Sequence, residues 1–269
     1  MSKRLAPVAM AGVAMLLAAC GAGGGASSAT TTGTSAPTSD AAAAPSGTAS
    51  AEPGTGADAR TVPAECAALD LSLGATLQGE ALGACVATAL VTYGSGRMEM
   101  TGEQLYGVVD FTYDPDYAFH VEGTTASGSV SMTYADGKIW LDSGDGPVLG
   151  DVDSTDPDVM LAGVAGEMYR YYSDPALTAS LVSVAPRWTV ADAREARTLP
   201  DGTSVDAFRI VNDEPFTWHD VTVSEFVLWY GDEWLPAGTQ ATSSIMGTTE
   251  TTSQSFYDLG ADITIEPLG

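Results

Sequence analysis

Between Gly94 and Asp142 apolar residues recur at every second position, the period of a strand with one buried face. In "QLYGVVDFTY" Leu105, Val109, Phe111 and Tyr113 share a face. In "YAFHVE" Tyr117, Phe119 and Val121 alternate with Ala118, His120 and Glu122, and in "SVSMTY" Val130, Met132 and Tyr134 alternate with Ser129, Ser131 and Thr133. Turn-forming residues stand between the runs: Asp114–Asp116, Ser127–Gly128, and Asp136–Gly137 ahead of "KIWLD". Short alternating runs punctuated in this way predict an antiparallel meander. The run Gly94–Thr101 places a further strand in front of it.

The period is helical on either side of this meander. Leu77 to Val91 carries Leu77, Ala81, Leu82, Cys85 and Ala89 on one stripe. Past the meander, "DPDVMLAGVAGEMYRYY" opens with Asp156 as N-cap and Pro157 at the first helical position. Met160, Val164, Met168 and Tyr171 then form an apolar stripe with Leu161 beside it. "DPALTASLVSVAP" repeats the device with Asp174 and Pro175, and Pro186 stops it. A second batch of strands follows in "VDAFRIVN", "VTVSEFVLWYG", "EWLPAGTQAT", "SSIMGTTETTSQSFYD" and "ADITIEP". About ten strands with so few helices predict an α+β fold. The expected form is a large curved antiparallel sheet, an unclosed half-barrel with helices against its concave face.

The N-terminus has a different pattern. Lys3 and Arg4 precede 13 almost unbroken apolar residues, Leu5 to Leu17, a run too short to span a bilayer and right for a secretory signal. Leu17-Ala18-Ala19-Cys20 resembles the bacterial lipobox, in which the cysteine sulfur is acylated and becomes the new N-terminus. Cys20 is therefore the expected lipidation site, and two acyl chains anchor a protein stably where one does so marginally. From Gly21 to Arg60 only four of 40 residues are not Gly, Ala, Ser, Thr or Pro, which predicts a disordered tether with a reach of roughly 35 Å. The expected organisation is residues 1–19 as signal peptide, 20–60 as lipidated tether and 61–269 as one domain.

Charge narrows the partners. The chain carries −25, and removal of residues 1–19 takes away two basic residues and no acidic one, leaving −27. Nucleic-acid binding needs the opposite balance, and electrostatic adhesion to anionic lipid is excluded likewise, so the acyl chains must do the anchoring. The excess keeps an exported protein soluble or favours cationic partners. With Cys20 acylated, Cys66 and Cys85 are left to pair in an oxidising compartment. Their loop closure contributes about 3 kcal/mol. Two free buried thiols are the alternative.

No catalytic constellation is present: neither H-E-x-x-H, G-x-S-x-G, S-x-x-K nor a C-x-x-C zinc pair occurs. His120 falls on the polar face of its strand, and His219-Asp220 are neighbours in sequence without triad geometry. The aspartates of the Asp142–Asp158 loop offer oxygen ligands of the kind calcium takes, without the EF-hand order. Turns and helix caps account for most of them. No enzyme activity, cofactor or metal is expected.

Two motifs of the second batch are more particular. One is the strand, tight turn and Trp-Leu-Pro of "VLWYGDEWLPAG", Trp229 to Pro236. The other is Tyr257-Asp258-Leu259-Gly260 followed by "DITIEP". Together with the lipobox and the order of elements, they make the chain from about Leu77 onward resemble actinobacterial lipoproteins of the LppX/LprG type. These share the unclosed-barrel fold of the lipoprotein carriers LolA and LolB. The resemblance implies a non-catalytic lipoprotein on the outer face of the cell membrane. It would hold the acyl chains of a lipid, glycolipid or lipidated molecule between sheet and helices, with an exporter or envelope protein as a further partner. The residues expected to line that space are Val109, Phe111, Phe119, Val121 and Met132 from the strands and Leu161, Val164 and Met168 from the helix. All of them fit plain core packing as well. The alternative function on this fold is an envelope sensor or scaffold that recognises a protein at its surface.

Overall fold

The computed structural model describes residues 61–268 apart from 103–104, 126–127 and 246; the signal, the lipobox with Cys20 and the tether lie outside the described residues. One antiparallel sheet of 14 strands organises the domain, with helices on one of its faces. A short helix α1 (Ala64–Ala67) and a three-residue strand β1 (Thr76–Gln78) precede α2 (Gly79–Val91). The meander follows as β2 (Ser95–Thr101), β3 (Leu105–Thr112), β4 (Ala118–Thr125), β5 (Gly128–Ala135), β6 (Lys138–Asp142) and β7 (Val148–Leu149). After α3 (Pro157–Ser173) and α4 (Pro175–Val184) come β8 (Arg187–Val190), β9 (Glu195–Thr198), β10 (Ser204–Asn212), β11 (Phe216–Trp218), β12 (Val221–Tyr230), β13 (Pro236–Ile245) and β14 (Thr248–Tyr257).

The strand order is β1-β8-β10-β12-β13-β14-β2-β3-β4-β5-β6-β7, with β9 beside β10 and β11 beside β12. The meander runs outward from β2 to β7. The chain crosses to the far edge through α3 and α4, then returns strand by strand until β14 lies against β2. The sheet does not close, because β1 and β7 end the order on opposite sides. Five of the 14 strands, β1, β7, β8, β9 and β11, are only two to four residues long, and one of the ten expected runs, "ADITIEP", forms none. Alternation is invisible over such a length, and this accounts for the excess over the ten expected.

Local signals act as their chemistry requires. Asp156 accepts from the backbone N–H of Asp158 and Val159, and Asp174 from that of Ala176, each ahead of a proline at the first helical position. Asp136 and Gly137 have φ of 53° and 72°, the two-residue turn that matches the twist of a hairpin. Cys66 and Cys85 are joined, tying α1 to α2. Two expectations need correction. Leu77 is not helical: it belongs to β1, opposite Trp188 of β8, and α2 starts two residues later. "ADITIEP" alternates between half-buried and exposed but forms no strand, because β2 already has β14 and β3 as partners. Only its start is held, by Gly260 N–H donating to the Ser95 carbonyl and Ser95 Oγ donating to that of Ala261.

Three apolar clusters result. The first joins α2 and α4 to β1, β8, β10 and β12 around Trp188, Leu82, Val182, Ile210 and Leu228. The second fills the helix-bearing face of β2–β6 beneath α3. The third lies on the other face and gathers Leu199, Val205, Ala207, Val227, Trp229 and Ala237. There Arg197 stacks 3.9 Å over the Trp229 ring, and Trp229 Nε1 donates to Glu195.

Candidate functional site: the seam between two cores

The strand residues expected to line a ligand space do come together. Register places Val109, Val121 and Met132 side by side, and Phe111 opposite Phe119. All five are at most 1% exposed. They pack with Met98, Met100, Leu90, Tyr169 and Phe256 into the second cluster. Phe119 stacks on Tyr134 at 5.7 Å, and Phe111 meets Phe256 edge-on at 6.4 Å. The face is filled with side chains. Leu161, Val164 and Met168 are placed elsewhere. Helix α3 meets the sheet through Ala162, Gly163, Gly166, Tyr169 and Ser173, its buried residues. Leu161 is 36% exposed, and neither it, Val164 nor Met168 belongs to any of the three clusters.

Small residues explain that orientation. A Cβ on Gly166 would collide with Ile139 of β6, and one on Gly163 would stand 2.6–2.8 Å from backbone atoms of Asp151 and Val152. The helix therefore approaches β6 and the β7 loop more closely than larger residues permit.

The first and second clusters meet at a seam that holds a cavity of about 20 Å³. Val86, Leu90, Tyr172, Pro175, Tyr230 and Phe256 give it an apolar wall, and Ser173, Thr178, Thr239 and Gln254 supply polar atoms. That volume accommodates roughly one water molecule, whereas small-molecule pockets run to about 300 Å³ or more. None of the eight expected lining residues borders it.

The polar atoms of the seam latch the α3–α4 junction to the sheet. Gln254 Nε2 donates to the Tyr172 carbonyl at 2.9 Å while its Oε1 accepts from Thr239 Oγ1 at 2.7 Å. Tyr113 OH donates to the Ser173 carbonyl at 3.0 Å, and Tyr117 OH shares a 2.7 Å hydrogen bond with Ser173 Oγ. Tyr113 of the meander and Gln254 of β14 thereby satisfy the Ser173 and Tyr172 carbonyls at the end of α3, which have no intrahelical partner, and Tyr117 bonds the Ser173 hydroxyl, which itself donates to the Tyr169 carbonyl. These residues are not marked by any motif. Gln254 was detectable only as a polar residue two positions from Phe256, on the inward face of its strand.

Burial raises the phenol pKa of Tyr113, Tyr117, Tyr169, Tyr172 and Tyr230, since the phenolate loses its hydration there. Their folded-state values lie above the usual value of about 10, so the unfolded chain gives up these protons first. Stability is then fully present below about pH 10 and is lost as pH rises beyond it. Absorbance at 295 nm is expected to show these five phenols ionising only together with alkaline unfolding. Their smooth titration in the folded protein would contradict the packing described.

The remaining candidates have structural roles. His120 is half-buried on the opposite face, with Nδ1 at 2.8 Å from Thr133 Oγ1 and Nε2 at 2.9 Å from Glu122. His219 and Asp220, at φ 45° and 65°, form the turn between β11 and β12. In the aspartate loop, Asp142 accepts from the N–H of Gly144 and Gly146, and Asp151 from that of Asp153. No cluster of three metal-binding side chains occurs among the described residues, and none of their helices is long and apolar enough to cross a membrane.

The two motifs of the second batch are joints of the sheet. In Tyr257–Gly260, Asp258 turns the chain at φ 49° and receives Arg97 Nη1 at 2.7 Å, while the same guanidinium holds Asp110. Leu259 covers Gly96, packing against the second cluster. In "YGDEWLP", Glu233 and Trp234 take positive φ, Gly231 N–H donates to the Leu235 carbonyl, and Trp234 folds edge-on against Tyr230 at 5.2 Å beside the seam.

The class these features define is an α+β domain built on an open antiparallel sheet with helices on one face. Among solved structures the chain is similar to LprF from Mycobacterium bovis. The identity is 10%, the match covers 69% of this chain and 96% of that one, and the TM-score is 0.41. No family model matches, and no curated protein does.

Proposed function

We propose that the chain is an envelope lipoprotein, held at the outer face of the cell membrane by acylated Cys20. On this reading its domain takes up a lipid or lipidated molecule without catalysing a reaction. The observation that carries the reading is the seam. Two apolar cores meet there around a small cavity, and the helix that closes it meets the sheet through small residues, a few hydrogen bonds and one buried large side chain, Tyr169. As described, the space is closed. An acyl chain enters by parting α3 from β14, which exposes Leu90, Tyr172 and Phe256 as walls and breaks the bond from Gln254 to the Tyr172 carbonyl. The lipobox and the tether support the anchoring.

The test is to express the full chain carrying Cys20→Ser in an actinobacterial host, record native mass spectra and extract what co-purifies. A lipid in stoichiometric amount, lost or weakened in Leu90→Glu, is the expected result. A chain that is empty from the host and takes up no fluorescent fatty acid or diacylglycerol probe would end the carrier reading.

A further inference from the structure

Helix α3 has its large apolar residues on the side away from the sheet. Met160, Leu161, Val164 and Met168 lie on roughly the opposite side of the helix from Ala162, Gly166, Tyr169 and Ser173, given about 3.6 residues per turn. The four large residues enter none of the three apolar clusters. Leu161 is exposed and Met160, Val164 and Met168 are half-buried, while Tyr171 at the end of the stripe packs edge-on against Trp218; the neighbouring loop abuts Ala162 and Gly163 with its backbone at Gly150–Val152. There Leu149 is 48% and Val152 40% exposed. A stripe of large apolar side chains that enters no core is a recognition feature, whereas isolated exposed residues are ordinary.

The surrounding charge selects the occupant. From Ile139 to Tyr169 the chain has six aspartates, one glutamate and no lysine or arginine. Glu167 pairs with Arg170, but none of the six aspartates takes part in an ion pair among the described residues. The exposed Asp151 and Asp153 belong to the loop beside the helix, and the exposed Asp156 and Asp158 stand at its N-terminal end. An anionic membrane is repelled by these aspartates, and a second copy would oppose aspartate to aspartate.

We propose that the outer face of α3 docks a cationic amphipathic segment of another protein: an apolar stripe flanked by lysine or arginine. The apolar stripe covers Met160, Leu161, Val164 and Met168, and the flanking cations meet the aspartates of the neighbouring loop and of the helix start. This surface is separate from the seam and stands whether or not the domain holds a lipid.

The probes are three labelled 18-residue peptides: a leucine stripe at helical spacing flanked by lysine, the same composition scrambled, and the same stripe flanked by glutamate. Fluorescence anisotropy is read against the full chain carrying Cys20→Ser. The lysine-flanked peptide is expected to bind about tenfold more tightly than either control and to weaken as salt rises. Leu161→Glu and Asp153→Lys, both at exposed positions, are each expected to remove most of that difference with an unchanged circular dichroism spectrum. Leu161→Glu makes the chain more acidic, so its loss of binding separates docking from general attraction to the chain's −25 charge. Equal binding of the scrambled or glutamate-flanked peptide, no binding at all, or indifference to Leu161→Glu would each overturn the proposal. Leu161-dependent flotation with anionic vesicles, or Leu161-dependent dimerisation, would overturn it in favour of those occupants.

Discussion

Gly79→Val is expected to cost about 4 kcal/mol, enough to remove much of the net stability of an ordinary domain. Gly79 opens α2 where that helix meets the end of α4. A Cβ there would collide with the carbonyl oxygen of Ala185, stand 3.0 Å from its carbon and 3.2 Å from the Val182 carbonyl oxygen. The obstacles are backbone, so no rotamer change relieves them. Gly79 N–H also donates to the Pro186 carbonyl at 3.1 Å, fixing the approach. The helix-propensity gain on replacing glycine is below about 1 kcal/mol and cannot offset this. One turn later Gly83 faces Ser183 and the Ala179 carbonyl just as closely, so α2 and α4 touch along two turns. Urea unfolding of Gly79→Val followed by circular dichroism, with the Cys66–Cys85 bond intact, measures the loss. A change within about 0.5 kcal/mol of wild type would mean that α2 and α4 do not lie this close.

What could be read before the fold was known follows from how far each signal reaches along the chain. Period two from Leu105 to Tyr134 sufficed for the meander, and Asp136–Gly137, Asp156–Pro157 and Asp174–Pro175 marked its turn and the helix starts, because these are contacts within a few residues. The Cys66–Cys85 pair was legible by elimination. The orientation of α3 was not, because the rule that a helix buries its large apolar stripe fails where the backbone must come close. The signal was there in Ala162, Gly163 and Gly166, small residues one turn apart that leave room for Ile139 and for Gly150–Val152.

The polar register of β13 and β14 was equally hidden. Apolar positions are few between Ser243 and Ser255, and pairs such as Thr239–Gln254, Gln240–Ser253 and Thr242–Thr251 hold the strands instead. The seam was the least legible part. Val86, Tyr172, Tyr230 and Phe256 come from two helices and two strands far apart in sequence, and only assembly of the whole sheet makes them neighbours.

Trp188→Ala is expected to cost about 3–5 kcal/mol, the range for removing a fully buried large aromatic side chain. Trp188 is 0% exposed and occupies the centre of the first cluster, 5.8 Å from the Phe226 ring and 6.4 Å from that of Phe216. It stands opposite Leu77 of β1 and Asn212 of β10, so the cavity left behind borders two strand pairs. Its indole Nε1 also donates to the Val182 carbonyl at 3.2 Å, which is how β8 holds α4. Alanine leaves that buried carbonyl without its donor, and this adds to the packing loss. Leu161→Ala, on the outer face of α3, is expected to stay within about 0.5 kcal/mol of wild type. Measured side by side in urea, the two variants decide where this protein keeps its core. Equal losses would mean that the α3 face carries packing the described contacts do not include. The expected gap of several kcal/mol would mean that α3 has its large apolar residues to spare for a partner, because the fold does not depend on them.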